Sequence, residues 1–270
     1  MHKGRAKEGA MSTFEDIIYS KKEKVARIAI NRPEVGNMFR SKTLQEMKMA
    51  LEDSRLDEEI RVVVISGVGG KFFCIGGDKA DLERTYSYKG VLPVMDVYEA
   101  IDKHPKPVIA AVDGYAVGGG NVLHVVCDLT IATDRSVFRQ VGPMMGSFDA
   151  GYGTWYLEDV VGKKKAKEMW MLNKKYTARE ALEMGLVNVV VPPDQLEAEV
   201  EKWCSQLIRR GPQALWAIKA SFAARHGGVA GFSRVAHDLL LSYYLASEEA
   251  KELLVAFNEK RDPDETKFYK

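Results

Sequence analysis

Residues 105–121 read PKPVIAAVDGYAVGGGN. A β-rich apolar run over 107–112 passes through Asp113 and Gly114 into the triple glycine Gly118-Gly119-Gly120, and an apolar helical run follows Asn121. The pattern predicts a buried strand that delivers the chain to a helix N-terminus through a segment without side chains. A helix N-terminus carries free N–H groups and the positive end of the helix dipole, and glycine lets the backbone come close to a ligand. Taken alone, the segment is most simply a tight turn. A phosphate cradle is the other reading of glycines before a helix, but the chain has neither GxxxxGK[ST] nor a spaced GxGxxG.

Upstream, a second glycine segment, FCIGGD at 73–78, follows the strand-like run RVVVIS at 61–66. Two such segments can aim two N–H donors at one oxygen, which is what stabilising an oxyanion or enolate requires. Further strands are expected over 25–30 (VARIAI), ended by Asn31-Arg32-Pro33, and over 129–132. Ser41 is placed to cap a helix whose apolar positions Leu44, Met47 and Leu51 have helical spacing. Strands alternating with helices indicate an α/β fold of βα units with a largely parallel sheet.

The later third is more helical. Thr177-Ala178-Arg179-Glu180 is a capping box, and Gly185 is placed to end its helix. A short strand at 187–191 and Pro192-Pro193 precede a helix that carries Leu196, Val200, Cys204 and Leu207 on one stripe. No internal repeat or low-complexity segment is visible. The expected organisation is a disordered tail over 1–13, a sheet-rich core over 14–193 and a helical part over 194–270.

The bulk composition narrows the function. With 39 Lys and Arg against 38 Asp and Glu, net charge +1, the 270-residue chain has no cationic excess with which to neutralise phosphates, so nucleic acid is not an expected partner. No apolar run is long enough to span a membrane. The first dozen residues are polar, with Lys3, Arg5 and Lys7. They are not a secretory signal, and a disordered tail or a start upstream of Met11 is preferred to a mitochondrial-type leader. Three cysteines, Cys74, Cys127 and Cys204, with no CxxC pair, make a disulfide framework or structural zinc unexpected and point to a reducing cytoplasm. No His/Cys/Asp spacing suggests a metal site.

FCIGGD followed by PKPVIAAVDGYAVGGGN resembles the crotonase superfamily, as do INRPE at 30–34, ALEMGLVNVVV at 181–191 and AFNEKRDPD at 256–264. The resemblance runs from about Phe14 to the C-terminus. It implies a superhelix of ββα units with a helical C-terminal part, assembled as homotrimers or homohexamers. It also implies an acyl-CoA thioester as substrate, with no tightly bound cofactor. The oxyanion donors would be the N–H groups of Gly77 and Gly119, next to Gly76 and Gly118, and Val35 and Met38 would line the CoA path. The superfamily's hydratases use two glutamates where this chain has Val122 and Gly142. Neither can move a proton, so plain hydration is not expected.

Residues 140–153, QVGPMMGSFDAGYG, and 163–170, KKKAKEMW, resemble one branch: 1,4-dihydroxy-2-naphthoyl-CoA synthase and 2-ketocyclohexanecarboxyl-CoA hydrolase. There, an aspartate matching Asp149 and a C-terminal tyrosine work as acid, base and oxyanion partner. Gln140, Trp170 and the small Gly142 would form an anion pocket, which in the synthase holds bicarbonate. Without the resemblance, Asp149 would be a turn former or cap. Counting forward from residues 230–232 matches the tyrosine to Tyr244, and counting back from 248–257 matches it to Leu245; Tyr244 is preferred over the simpler reading of an aromatic pair in a core.

Three departures favour the hydrolase: Arg139 replaces a glycine, either to pair with a substrate carboxylate or to point outward; the loop over 79–92 is short; and the chain ends KFYK. His124 is expected to be a satisfied buried histidine, His104 to lie on the surface, and Cys74 to be packing. Some crotonase-fold proteins bind RNA or act as scaffolds. Here the balanced charge and the presence of Asp149, Gln140 and Trp170 together favour chemistry.

Overall fold

The computed structural model describes residues 14–81, 93–148 and 151–268. Two compact units are formed by Met1–Arg209 and Arg210–Lys270.

In the first unit, ten strands among the described residues make two sheets. β1 (Ile17–Lys22) and β2 (Val25–Ile30) form an antiparallel hairpin; β3 (Val62–Gly67), β5 (Val108–Val112), β7 (Leu129–Thr133) and β10 (Val189–Val191) continue it in parallel, in the order β1-β2-β3-β5-β7-β10. The smaller sheet runs β4 (Phe72–Cys74), β6 (Tyr115–Val117), β8 (Val137–Arg139), β9 (Tyr176–Thr177), parallel except for the last pair. Each of β3–β4, β5–β6 and β7–β8 therefore places one strand in each sheet before the chain moves on. The repeat is topological, and for that reason invisible as sequence similarity.

The central strands β3 and β5 are buried on both faces, as their continuous Val/Ile/Ala runs require. One face packs on α1 (Ser41–Leu56), α2 (Pro93–Asp102) and α3 (Gly119–Val126). The helices α4 (Trp155–Val161), α5 (Lys163–Leu172) and α6 (Ala178–Glu183) follow β8. The opposite face of the sheet, Val62, Val64, Ile109 and Ile131, is covered by Val200 and Cys204 of α7 (Leu196–Ile208). The stripe at 196, 200, 204 and 207 thus belongs to the first unit.

Local chemistry explains most boundaries. The Thr177 capping box is formed: its Oγ accepts from Glu180 N at 3.3 Å, and its N–H gives to Glu180 Oε2 at 2.7 Å. Gly185 takes a positive φ of 77° just past α6. Ser41, expected to cap α1, is already inside it; its N–H and hydroxyl both give to Asp81 Oδ2 at 2.7 Å, so the cap reaches in from a distant segment. His104, expected at the surface, is only 2% exposed, held against Ser54 Oγ at 3.2 Å where α1 ends.

The second unit holds α8 (Pro212–Arg234), a π-helical turn (Val235–Leu240), α9 (Leu241–Leu245) and α10 (Glu248–Glu259). Gly228 interrupts the helical dihedrals of α8 with φ 52° and ψ −131°. α10 is capped by Ser247 Oγ, which accepts from Ala250 N at 3.1 Å. Its buried Glu252 binds Arg261 and Lys267, each at 2.6 Å. Among the described residues no helix is long and apolar enough to cross a membrane.

Candidate active site

The two glycine segments meet. A Cβ on Gly76, where φ is +99°, would stand 3.2 Å from Gly119 N, so only glycine allows this approach. Behind them, a Cβ on Gly120 would fall 1.9 Å from Cys74 O, so the first turn of α3 lies directly on β4.

The backbone around the pair is held, and two N–H groups are turned elsewhere. Phe39 N gives to Gly76 O at 3.0 Å and Asp78 N gives to Phe39 O at 2.9 Å. This is a parallel bridge centred on Gly77, so the N–H of Gly77 itself faces away from Phe39. On the other side, Gly118 N gives to Arg139 O at 2.9 Å. Gly119 opens α3, and its N–H has no acceptor within the helix. The peptide unit that carries this N–H has its carbonyl on Gly118, which accepts from Val122 N at 3.1 Å and is polarised by it. Gly77 and Gly119 are partly exposed while Gly76 and Gly120 are buried. The N–H of Gly119 stands at the positive end of a helix, an environment that favours an anionic oxygen.

The turn before Phe39 is anchored through side chains. Asn37, fully buried with φ +54°, gives its Nδ2 hydrogens to Val68 O (3.0 Å) and Phe72 O (2.6 Å) and accepts from Arg32 N (2.9 Å). Arg32 donates to Met38 O at 2.5 Å and lies 3.4 Å from Asp78 Oδ2. Val35 and Met38, half-buried, sit on this turn immediately ahead of the bridge.

The wall formed by residues 139–142 adjoins the glycines, since a Cβ on Gly118 would lie 3.5 Å from a methyl of Val141. A Cβ on Gly142 would lie 3.1 Å from the Trp170 ring, so these two predicted pocket residues are in contact. Gln140 is fully buried, and both polar atoms of its amide lack a partner among the described residues. A buried amide in that state costs about 1–3 kcal/mol unless a water or ligand pairs with it. The Trp170 indole N–H is already given to Gly153 O at 2.7 Å. Arg139 turns to the end of α5, where its Nε donates to Asn173 O at 2.7 Å.

Asp149 lies outside the described residues, as does most of the loop over 79–92. Tyr244 belongs to the second unit, on α9; it is 43% exposed, with its hydroxyl 3.4 Å from Glu249 Oε1. Val122 and Gly142, the positions that the resemblance assigns to the hydratase glutamates, are both buried. His124 is fully buried, 3.1 Å from Asn121 Oδ1 and 3.3 Å from Thr130 Oγ1, with burial pushing its pKa down to about 3. Burial pushes the Cys74 thiol up to about 12, which makes it packing and not a nucleophile.

Four residues carried no usable sequence signal. Phe39 clamps Gly77 and Tyr98 donates to Gly119 O at 2.9 Å. Asn173 donates to Gln140 O at 3.1 Å, and Asn121 Nδ2 is buried without a partner among the described residues. Tyr98 reads as one more apolar position on α2, with Val94, Val97 and Ile101; a buried tyrosine hydroxyl does need a partner, but nothing local says which.

The two sheets of stacked strands and the two glycine segments brought together at the start of α3 define a fold of the crotonase type. Residues 20–267 match the family Enoyl-CoA hydratase/isomerase, and the chain belongs to it. It is similar to the solved structure of an enoyl-CoA hydratase subunit I from Geobacillus kaustophilus HTA426 (30% identity, 94% of this chain and 98% of that chain, TM-score 0.76). It is also similar to Pseudomonas aeruginosa DspI (27%, 96% and 99%, TM-score 0.76) and to an enoyl-CoA hydratase from Bacillus anthracis (27%, 93% and 98%, TM-score 0.71).

Proposed function

We propose that this crotonase-family acyl-CoA enzyme opens a ring by hydrolysing a carbon–carbon bond in a cyclic β-keto acyl-CoA of the 2-ketocyclohexanecarboxyl-CoA kind. The observation that carries the reading is the pair of positions 122 and 142. The hydratases it resembles need a carboxylate at each, and here a buried valine and a glycine in contact with Trp170 stand there. Several neighbours are named enoyl-CoA hydratases, and these two positions are the ground for reading this chain differently.

In this reading the thioester oxygen sits between the N–H groups of Gly77 and Gly119. Asp149, directly or through Tyr244, takes a proton from water, and the resulting hydroxide adds to the ring ketone. The bond from that carbon to the α-carbon breaks, and its electron pair becomes the thioester enolate held by the two donors. A proton returned to the α-carbon completes a dicarboxylic acid mono-CoA thioester. One water is consumed and no redox partner is needed.

The second reading is the ring-closing one, 1,4-dihydroxy-2-naphthoyl-CoA synthase, which uses the same enolate and would hold bicarbonate beside Gln140, Gly142 and Trp170. The unpartnered Gln140 amide supports a small polar guest in that pocket. The commitment of the Trp170 N–H to Gly153 O does not support direct ligation by the indole. Assembly as a homotrimer or homohexamer and a cytoplasmic location remain part of the proposal.

The test is mass spectrometry of purified protein with 2-ketocyclohexanecarboxyl-CoA and o-succinylbenzoyl-CoA, beside Asp149→Asn. A gain of one water by the first substrate, reduced about 10²–10⁴-fold in the variant, is expected. Loss of water from the second substrate would select the synthase, and hydration of a simple enoyl-CoA would return the chain to its named neighbours.

A further inference from the structure

A triple glycine gives a ligand access to the backbone but contributes no stiffness, since glycine has the largest conformational freedom to lose. An oxyanion hole works because its donors are aimed before the charge develops. The direction of the Gly119 N–H must therefore be set by groups outside the glycine run. Four are visible. Val122 N gives at 3.1 Å to Gly118 O, on the peptide unit that carries this N–H, Arg139 O accepts from Gly118 N, the Phe39 ring closes on the Gly119 α-carbon (a Cβ there would lie 2.7 Å from it), and the Tyr98 hydroxyl donates at 2.9 Å to Gly119 O, on the next peptide unit.

Tyr98 is fully buried on α2, so this bond is shielded from water. Its ring also lies 5.9 Å from that of Tyr152, which in turn stacks 4.9 Å from Tyr156. Tyr152 stands three positions after Asp149, and the next residue, Gly153, is held through its carbonyl by Trp170. One side chain thus touches both the donor glycine and the stretch that follows the acid/base aspartate.

We propose that Tyr98 is a positioning residue of the oxyanion hole: its hydroxyl fixes the first turn of α3 through Gly119 O and its ring ties that turn to the segment after Asp149. The proposal rests on the oxyanion reading above and on no choice of acyl group.

The probe is the CoA thioester of 4-dimethylaminocinnamate, a push–pull chromophore whose absorption moves to the red when its carbonyl oxygen is hydrogen-bonded. It is added to the wild-type chain, to Tyr98→Phe and to Tyr156→Phe, with affinity and melting temperature measured on each. A red shift in wild type that shrinks in Tyr98→Phe at nearly unchanged affinity, and persists in Tyr156→Phe, is the expected result. An undiminished shift in Tyr98→Phe, or an equal loss in both variants, makes the hydroxyl merely structural and overturns the proposal. A wild-type protein that leaves the probe unshifted or unbound overturns the oxyanion reading itself.

Discussion

At the glycine pair, the groups flanking Gly77 and Gly119 are paired with Phe39, Arg139 and Val122, and the two glycines themselves are partly exposed. Along the adjoining wall the arrangement is reversed. The Gln140 side chain is buried with both polar atoms unpartnered among the described residues, while Met144 (61%) and Phe148 (82%) on the following loop stand exposed. The first region is backbone-built and held by partners outside the glycine run. The second is side-chain-built and has spare hydrogen-bonding capacity. The contrast suits a site in which a common oxyanion chemistry is fixed by one wall and the particular acyl group, water or anion is chosen by the other.

The largest test of that contrast is Gly119→Ala. Its new methyl would press on the Phe39 ring and the Tyr98 hydroxyl and turn the donor away. Turnover of whichever CoA ester proves to be the substrate is expected to fall about 10²–10³-fold, as on removing an oxyanion donor. A loss confined to KM would mean that this wall binds substrate without favouring the transition state.

Gln140→Leu probes the other wall. Replacing an unpartnered buried amide by an apolar side chain is expected to leave the melting temperature unchanged or raise it, by up to about 2 kcal/mol of stability, while turnover drops. A clear fall in melting temperature would show that the amide already has a protein partner, and the contrast between the walls would fail.

The smallest effect concerns His124, which connects the two regions: it contacts Asn121 on α3, and its ring lies 5.0 Å from Phe138, two residues before Gln140. Burial lowers its folded pKa to about 3, against an ordinary 6.5 when unfolded. Between those values the unfolded chain binds the extra proton, so this contribution to stability is complete above pH 6.5 and is lost as pH falls towards 3. Urea unfolding at pH 7.0 and 5.5 should differ by about 1 kcal/mol from this group, and His124→Gln should remove the difference. An equal pH slope in the variant would assign it to other groups.

Much of the fold was legible because its signals are local. The strand over Val25–Ile30, the Thr177 capping box and the stripe of α7 appear where their side-chain periods place them. Ser41 and His104 were misjudged for the opposite reason: what each touches, Asp81 and Ser54, lies 40 and 50 residues away. The alternation of strands between two sheets was equally hidden, since β4, β6 and β8 are three residues each and too short to show a period.

The amino-acid sequence by itself determined which backbone positions are free of side chains, Gly76, Gly77 and Gly118 to Gly120, and which lack a proton carrier, Val122 and Gly142. Those are properties of single residues and survive in any fold. Only the tertiary structure decided that Phe39 bridges to Gly77, that Tyr98 holds the Gly119 carbonyl across 21 residues, and that the Trp170 N–H is spent on Gly153. A hydrogen bond depends on the placement of both partners to within a few tenths of an ångström, and that placement is set by how separate elements pack, not by the identity of either residue.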